Sequence, residues 1–250
     1  MSGPEISVVI PVRDERENLA PLWSELRPAL EGVGRDFEVL FVNDGSADGS
    51  REVLDRLAVS DGRIRVLTLE SPSGQTAALD AGFRAARGEL VITLDADLQN
   101  DPADIPVLLD RMGSLDAVAG YRLRRRDSWL RLFSSRVANG VRNRLTGDHV
   151  LDTGCSLKIF RRRCLERIRL YDGMHRFLPT LLRLEGFSVG QFPVRHRART
   201  WGSSKYGIRG RLFRGCADLL AVRWMIRRQL GYRLSEGDGV REKERSSRAV

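Results

Sequence analysis

The sequence predicts an α/β protein in which a mostly parallel sheet is covered by helices on both faces. In residues 1–120, short runs rich in Val, Ile and Leu alternate with longer amphipathic stretches, a pattern typical of successive βαβ units. The apolar runs are bounded by polar turns, as strands commonly are. Because ligands bind at the carboxyl ends of the strands in such sheets, the loops after the strands are the first place to look for a site.

Local sequence signals define the individual elements. Apolar runs predict strands over residues 6–12, 37–42, 64–69, 90–94 and 116–120, and the stretches between them predict helices over residues 18–30, 48–59, 74–87 and 102–111. Asp48 and Asp101 are typical N-cap residues, and Pro102 occupies a first helical turn, where proline is tolerated. The second half is less regular, with strands predicted over residues 155–160 and 189–194 and helices over residues 128–145, 175–185 and 208–230.

The composition is that of an ordinary globular protein. The chain has 250 residues, of which 42% are hydrophobic and 30% are charged, and this balance excludes wholesale disorder. Its three cysteines form no C-x-x-C pair, which argues against a disulfide scaffold or a zinc ribbon. The first residues lack the basic and apolar regions of a signal peptide, and no stretch approaches ~18 apolar residues. We therefore predict neither a signal peptide nor a transmembrane helix.

Charge is distributed unevenly along the chain. Residues 1–120 carry 11 Lys and Arg and 22 Asp and Glu, whereas residues 121–250 carry 31 and 11, within a net charge of +9. A basic half of this kind is expected to meet an anionic partner, which is a nucleic acid, a membrane surface or a phosphorylated ligand. A nucleic-acid-binding module is the remote alternative, because the acidic loops of the first half would repel a phosphate backbone.

Acidic residues follow three of the predicted strands. Asp14 and Glu15 follow the first strand, Asp44 and Asp48 follow the second, and the run DADLQ (residues 95–99) follows the fourth. Since the carboxyl ends of parallel strands share one edge of the sheet, we expect these loops to converge. Hard carboxylate oxygens suit Mg²⁺ or Mn²⁺, ions that commonly also hold a diphosphate. A single acidic loop is often only a turn or a helix cap, but three at equivalent positions are harder to explain in this way. Asp95 and Asp97, two residues apart after an apolar strand, are the main candidates for the metal, and a strand-end turn before the next helix is their alternative role.

Motifs of several other enzyme classes are absent from the sequence. There is no Walker A loop, no G-x-G-x-x-G after the first strand and no G-x-S-x-G elbow, which disfavours P-loop NTPases, dinucleotide-dependent dehydrogenases and α/β-hydrolases. The three histidines, His149, His175 and His196, are scattered, and we interpret them as ordinary residues rather than as ligands.

Seven segments follow one another in a characteristic order along the chain. They are SVVIPVRDERENL, VLFVNDGSADGS, GQTAALDAG, ITLDADLQNDP, AGYRL…SSRVAN, DTGCSLKIFRR and RTWGSSKY. Together they resemble the family-2 glycosyltransferases of the Rossmann-like GT-A fold, specifically the polyprenyl-phosphate sugar synthases related to dolichol-phosphate mannose synthase. The resemblance runs over about residues 6–230. It implies a metal-dependent, inverting transfer of a hexose from GDP-mannose or a UDP-sugar to a polyprenyl or dolichyl phosphate.

The resemblance also implies roles for residues of the first half. The donor nucleotide is expected to contact Pro11, Glu15, Asp44, Asp48, Gly49 and Asp95. The metal, Mg²⁺ or Mn²⁺, and the diphosphate are expected to bind Asp95, Asp97 and Gln99, and Asp97 is expected to be essential for catalysis. Two departures from the common pattern, Asp14 in place of Asn and Asn43 in place of Asp, leave the identity of the base open.

The second half carries the residues that the resemblance assigns to the phosphates. The acceptor phosphate is expected to contact Arg122, Ser135, Arg136 and Ser204. Arg199 and Lys205 are expected to act in catalysis within an R-x-x-G-x-S-K loop that closes over phosphates. Asp152 is expected to orient groups at the reaction edge, and a strand-start cap is its alternative role.

The resemblance suggests one glycosyltransferase domain over residues 1–230. It divides into a nucleotide-sugar half (1–120), an acceptor half (121–207) and an amphipathic helix (208–230), and residues 231–250 are expected to be disordered. A family-2 glycosyltransferase with a non-lipid acceptor, either a polysaccharide or a small molecule, is the alternative function.

The C-terminal helix carries an apolar stripe within a collar of arginines. The stripe consists of Leu212, Cys216, Leu219, Leu220, Trp224 and Ile226. Such a pattern is typical of a helix that lies on an anionic membrane. We therefore expect a cytoplasmic protein held peripherally on a membrane. The alternatives are that the helix packs on its own domain or contacts a membrane-protein partner.

Overall fold

The structure, a computed structural model, describes residues 3–122, 149–198 and 208–230, together with positions 140, 144 and 147. Seven strands are found in these residues: β1 (Ile6–Val12), β2 (Phe37–Asn43), β3 (Ile64–Thr68), β4 (Leu90–Thr93), β5 (Ala117–Arg122), β6 (Lys158–Arg161) and β7 (Val189–Val194). They form one sheet in the order β3-β2-β1-β4-β6-β5-β7. β6 is antiparallel to β4 and β5, and the other neighbouring pairs are parallel. The predicted mostly parallel sheet is confirmed.

The helices between the strands agree closely with the predicted ones. They are α1 (Arg16–Glu31), α2 (Ser50–Ser60), α3 (Gln75–Ala85), α4 (Ile105–Asp110), α5 (Arg162–Leu165), α6 (Leu178–Leu184) and α7 (Ile208–Arg227). The short helix α5 has no counterpart among the predicted elements. Of the helix predicted over residues 128–145, only positions 140 and 144 are described, and both are helical. The tail predicted to be disordered, residues 231–250, lies outside the described residues.

Several predicted elements begin differently from the observed ones. The helix predicted over residues 102–111 starts with a 3₁₀ turn, Pro102–Asp104, because Pro106 lacks the N–H that an α-helical bond to residue 102 requires. Asp101 accepts a hydrogen bond from the N–H of Ala103 and is confirmed as a cap. A second 3₁₀ turn, Met174–Phe177, precedes α6. The strand predicted from residue 155 begins only at Lys158.

Both faces of the sheet are covered, as predicted. Ile6, Val8 and Ile10 of β1 belong to a core that includes Leu19, Leu22 and Leu26 of α1. Val9 points the other way, into a core with Ala78 and Leu79 of α3. A Cβ atom on Gly82 would lie 2.2 Å from Cγ1 of Val9, so α3 packs this closely on β1 only because residue 82 is glycine.

Helix α7 packs on the protein through one face. Val222 is fully buried in a small core with Met174, Phe177 and Leu181, and Leu219 and Ile226 pack against the same core. Leu220 and Trp224, in contrast, are 62% and 63% exposed. Of the predicted apolar stripe, Leu219 and Ile226 therefore pack inward and Leu220 and Trp224 face outward, whereas the side chains of Leu212 and Cys216 lie outside the described residues. No helix in the described part of the chain is both long and apolar enough to cross a bilayer.

Candidate active site

Hydrogen bonds join the loops after β1 and β2 to each other. The N–H of Asp14 donates to Oγ of Ser46 over 2.9 Å, and the N–H of Ala47 donates to Oδ1 of Asp14 over 2.7 Å. Asp14 takes the left-handed conformation, with φ of 52°, which a short polar side chain bonded to nearby backbone can tolerate. The N–H of Glu15 donates to Oγ of Ser50 over 3.0 Å. The convergence expected of these two acidic loops is thus present.

Asp48 connects the same two loops. Its Oδ1 accepts the N–H of Ser50 over 2.9 Å, and its Oδ2 accepts the N–H of Arg16 over 3.0 Å. The prediction that Asp48 is the helix N-cap is wrong: the helix begins at Ser50, two residues later than predicted, and Gly49, with φ of 85°, occupies the N-cap position. Burial raises the pKa of Asp48, but hydrogen bonds from the Ser50 hydroxyl and from the two N–H groups outweigh this and lower its pKa overall. The carboxylate is therefore ionised and bound to the backbone.

Asp44 is held between the end of β2 and the start of α3. It is 3% exposed, and it accepts hydrogen bonds from the N–H groups of Ser73, over 2.5 Å, and Gly74, over 2.9 Å. Nη1 of Arg13 lies 3.6 Å from Oδ2 of the same carboxylate. Asp44 thus shapes the loop before α3, and its contact with a nucleotide base stays a prediction, as do the donor contacts of Pro11, Glu15, Asp48 and Gly49.

The DADLQ loop (residues 95–99) follows β4 directly. Oδ1 of Asp95 accepts a hydrogen bond from Nε2 of Gln75 over 2.8 Å, which links the loop to the first turn of α3. Asp97 is 7% exposed, and its Oδ1 accepts the N–H of Gln99 over 3.2 Å. Leu98, which lies between Asp97 and Gln99, takes a left-handed conformation with φ of 60°. The turn that the sequence predicted places both carboxylates at the carboxyl edge of the sheet.

Arg122 and Asp152 form a bidentate ion pair at the same edge. Nε and Nη2 of Arg122 lie 2.6 and 2.8 Å from the two carboxylate oxygens of Asp152. Both side chains are largely buried, with 14% and 9% exposure. The N–H of Gly154 also donates to Asp152 over 3.0 Å. Because the two residues share one buried contact, the roles predicted for them must be tested as a pair.

Lys158 lies beside this pair, and the sequence reasoning did not select it. It is 4% exposed on β6, and its ammonium donates to the carbonyl of Cys155. Burial lowers the pKa of Lys158, whereas the neighbouring charges of Asp95 and Asp152 work to raise it. A lysine within the apolar run LKIF was the available signal, since a charged residue inside a buried strand needs an electrostatic reason to be there.

His175, which the sequence analysis interpreted as an ordinary residue, contacts the start of α3. Its Nδ1 is 2.7 Å from Oγ1 of Thr76, the residue after Gln75, and the N–H of Gly173 donates to the same hydroxyl over 3.0 Å. Burial, together with the charges of Arg176 and Lys158, lowers the pKa of His175 to about 3. The ring is therefore neutral near pH 7.

The depressed pKa of His175 predicts how stability depends on pH. The unfolded chain takes up this proton below about pH 6.5 and the folded chain only near pH 3, so folding loses stability as pH falls between these values. Between pH 7 and 5.5 the loss is about 1 kcal/mol. In a His175→Gln variant this contribution is absent, so the free energy of unfolding, measured with urea, should fall less than in wild type. Equal pH slopes in the two proteins would contradict the prediction.

The segment that leaves β7 runs alongside the DADLQ loop. Asn100 and His196 form an antiparallel bridge, and the N–H of Arg197 donates to the carbonyl of Gln99 over 2.8 Å. Arg197 also pairs with Asp101 over 3.0 Å. This segment leads into the predicted phosphate loop. The loop residues Arg199, Ser204 and Lys205 lie outside the described residues, as do Ser135 and Arg136.

The carboxylates of the DADLQ loop suit a divalent cation that binds together with a diphosphate. In the described part of the chain, no group of three or more His, Cys, Asp or Glu side chains could hold a metal ion alone. Asp95 and Asp97 supply two carboxylates, and Gln99 adds an amide oxygen nearby in sequence. Mg²⁺ is usually held by one or two carboxylates together with substrate phosphates rather than by a cage of protein ligands. This donor set therefore suits a cation that is shared with a diphosphate.

Comparison with models of known protein families gives the family of the chain. The model of the family described as Glycosyl transferase family 2 matches residues 7–169. The chain belongs to glycosyl transferase family 2. The match covers the DADLQ loop, the Arg122–Asp152 pair and Lys158, and it ends before His175.

Curated relatives of this family-2 glycosyltransferase match beyond those residues. The chain is 38% identical over 229 residues to a dodecaprenyl-phosphate galacturonate synthase of Rhizobium johnstonii, covering 89% of this chain and 68% of the relative. It is 38% identical over 205 residues to an undecaprenyl-phosphate 4-deoxy-4-formamido-L-arabinose transferase of Aeromonas hydrophila, covering 81% and 63%. The chain spans less than two thirds of the length of the second relative.

Solved structures share the fold of this family-2 glycosyltransferase at low sequence identity. Glucosyl-3-phosphoglycerate synthase from Mycobacterium tuberculosis, in complex with Mn²⁺, UDP and phosphoglyceric acid, gives a TM-score of 0.68 at 20% identity, covering 88% of this chain and 78% of that one. Mannosyltransferase PcManGT from Pyrobaculum calidifontis, in complex with GDP-Man and Mn²⁺, gives 0.63 at 20% identity, covering 92% and 66%. The predicted GT-A-type fold is confirmed.

Proposed function

We propose that this family-2 glycosyltransferase transfers a hexose from GDP-mannose or a UDP-sugar to a polyprenyl phosphate, with inversion and with a divalent metal. The observation that carries the proposal is the position of the DADLQ loop. It is hydrogen-bonded on one side to the segment 152–158, next to the Arg122–Asp152 pair, and on the other to the segment that leaves β7. Acids suited to a metal-bound donor and basic groups suited to an acceptor phosphate therefore meet at one edge.

The chemistry asks the protein mainly for positioning. An oxygen of the acceptor phosphate forms a bond to the anomeric carbon while the bond from that carbon to the nucleoside diphosphate breaks. A phosphate monoester is already anionic at pH 7, so it requires orientation more than a general base. Arg122, fixed by Asp152, and the basic residues of the 199–205 loop are suited to orient it. A bound divalent cation neutralises charge on the diphosphate leaving group.

The names of the curated relatives support the lipid acceptor. Both name a polyprenyl phosphate, whereas the sugars that they name, galacturonate and 4-deoxy-4-formamido-L-arabinose, differ from each other. The acceptor class is thus the shared feature, and the sugar is the variable one. The sugar must be found by experiment.

The proposal is tested by a transfer assay on the full chain in detergent. Labelled GDP-mannose, UDP-glucose and UDP-galacturonate are each offered with Mn²⁺ and either undecaprenyl or dolichyl phosphate. Undecaprenol, which lacks the phosphate, serves as the matched acceptor control. We expect label in the lipid phase with at least one donor, and only when the acceptor carries a phosphate.

A second set of acceptors distinguishes the alternative function. Phosphoglyceric acid and a soluble oligosaccharide replace the lipid under the same conditions. Transfer to either of these, with no transfer to a polyprenyl phosphate from any of the donors, would overturn the proposed acceptor and show that the acceptor is not a lipid.

Helix α7 supports attachment to a membrane surface, which the lipid acceptor requires. Its inward face is anchored by Val222, while Leu220 and Trp224 project outward among exposed Arg227 and Arg228. Apolar insertion combined with attraction to anionic lipid binds such helices, and each Arg near the surface contributes ~1 kcal/mol. We propose that this outward face lies on the cytoplasmic leaflet.

Binding of the protein to lipid vesicles tests the membrane attachment proposed for α7. Wild-type protein should sediment with anionic liposomes at low salt and be partly released at 1 M salt, where the Debye length falls to about 3 Å. A Leu220→Asp, Trp224→Asp double variant should bind poorly even at low salt. The matched control is Val59→Asp, Val107→Asp, which changes residues that are 90% and 53% exposed on other helices. Failure of wild type to bind, or equal loss in the control, would contradict the prediction.

A further inference from the structure

Ser156 joins the two ends of the DADLQ loop through a single hydroxyl. Its Oγ accepts the N–H of Asp95 over 3.2 Å at the start of the loop and Nδ2 of Asn100 over 2.7 Å at its end. Its carbonyl accepts the hydroxyl of Thr93, on the last residue of β4, over 2.5 Å. One residue from a distant part of the chain thus binds both ends of the loop and the strand that precedes it.

The loop needs such support because its backbone is strained. Leu98, a branched residue, has φ of 60°, a left-handed conformation that residues with a Cβ rarely adopt. Strained backbone of this kind persists only where the surroundings impose it. The buried side chain of Leu98 provides one restraint, and the Ser156 hydroxyl provides another on either side of it.

We propose that Ser156 is a positioning residue, which sets the geometry of Asp95 and Asp97 for the metal and the diphosphate. The inference rests on the proposed function, because it takes these two carboxylates as the ligands of the donor-bound cation. Ser156 acts through the loop. Groups that orient metal ligands typically change metal affinity by about 10- to 100-fold when removed.

Removal of the Ser156 hydroxyl takes a hydrogen-bond partner away from two donors. Asn100 is 5% exposed, so in a Ser156→Ala variant its Nδ2 would lose a partner in a site that admits little water. The N–H of Asp95 would lose its partner as well. The loop would then relax, and the positions of the Asp95 and Asp97 carboxylates would change. A Ser156→Thr variant keeps an oxygen at the same place and should restore the bonds.

Calorimetry tests the proposal through binding and without turnover. Wild type, Ser156→Ala and Ser156→Thr are each titrated with UDP and with GDP, in the presence and absence of MnCl₂. We expect Mn²⁺-dependent binding of at least one nucleotide to wild type, at least ~10-fold weaker binding to Ser156→Ala, and recovery to within ~3-fold in Ser156→Thr.

Ser7 provides a matched structural control at the opposite end of the sheet. Like Oγ of Ser156, its Oγ accepts two hydrogen bonds, in this case from the backbone N–H groups of Arg87 over 3.1 Å and Gly88 over 2.8 Å, and Ser7 is fully buried. Ser7→Ala should lower the thermal midpoint at least as much as Ser156→Ala while leaving the Mn²⁺-dependent affinity unchanged. This comparison separates positioning of the loop from a general loss of stability.

The outcomes are distinguishable. If wild type binds UDP or GDP with Mn²⁺ and Ser156→Ala binds equally well, the positioning role is overturned and the proposed donor site stands. An equal loss of affinity in Ser7→Ala also overturns it, since the effect would then be one of stability. If wild type binds neither nucleotide in a metal-dependent way, the proposed donor site and this inference fail together.

Discussion

Asp97→Asn is expected to abolish sugar transfer while the fold stays intact. The side chain is 7% exposed and accepts the N–H of Gln99, a bond that the amide oxygen of Asn can keep. What the variant loses is the negative charge that would hold a divalent cation beside the diphosphate. Metal ions contribute several kcal/mol to transition states of this kind, so the rate should fall by at least ~100-fold.

The measurement is transfer of labelled sugar to polyprenyl phosphate, paired with thermal unfolding of each protein. Asp104→Asn is the matched control, because Asp104 is as buried as Asp97 but lies outside the DADLQ loop and binds Arg195. The control should lose stability and keep its metal requirement. Removing the metal with EDTA should abolish sugar transfer by the wild-type protein, and added Mn²⁺ should restore it. Full wild-type activity in EDTA, or near-normal transfer by Asp97→Asn, would refute the metal assignment.

The second large effect is expected from the Arg122–Asp152 pair. Asp152→Asn leaves the Arg122 guanidinium buried and without its carboxylate, and breaking a buried ion pair in this way costs about 3–5 kcal/mol of folding free energy. Arg122→Met should lower the free energy of unfolding by a similar amount, because the buried Asp152 carboxylate then lacks the guanidinium that it binds. The free energy of unfolding in urea measures both losses.

The double variant Arg122→Met, Asp152→Asn separates stability from chemistry. With both charges removed, most of the lost stability should return, since no uncompensated buried charge remains. Transfer should stay low, because no guanidinium is left to orient the acceptor phosphate. A double variant that regains normal transfer would show that the pair is structural only.

The pair between Arg65 and Glu38 is the matched control for this experiment. It is similarly short, 2.6 Å, and its carboxylate is buried, but it lies at the amino ends of the strands. Arg65→Met should lower stability without changing the rate of transfer per folded molecule. A parallel loss of transfer in this control would mean that the assay reports folding and not the acceptor site.

Much of the fold was predictable because it depends on local signals. The strand predicted over residues 6–12 and the one over residues 189–194 have the bounds observed for β1 and β7. Runs of β-branched and apolar residues between polar turns identify strands whatever the rest of the chain does. The rule that parallel strands share their carboxyl ends then placed Asp14, Asp48 and Asp95 at one edge. Periodicity and that rule together were enough to locate the candidate site.

Other features depended on partners that are distant in sequence. Ser156 meets Asp95 across 61 residues, and His175 meets Thr76 across 99. No local pattern indicates that a serine will accept two hydrogen bonds, and the apolar run LKIF indicates that its lysine needs charged partners without indicating which ones. Such contacts arise when β6 inserts antiparallel between β4 and β5, a pairing that short apolar runs leave open.

The amino-acid sequence was enough to predict most strands and helices, the acidic loops after β1, β2 and β4, and the family. The packed structure was needed to show that Asp44 binds the loop before α3, that Arg122 and Asp152 form an ion pair, and that α7 has a buried and an exposed apolar face. The physical reason is that secondary structure follows from the periodicity of a chain segment, whereas burial, pairing and pKa follow from which surfaces pack against each other. The acids could be found from their positions along the chain, but their partners are set by packing.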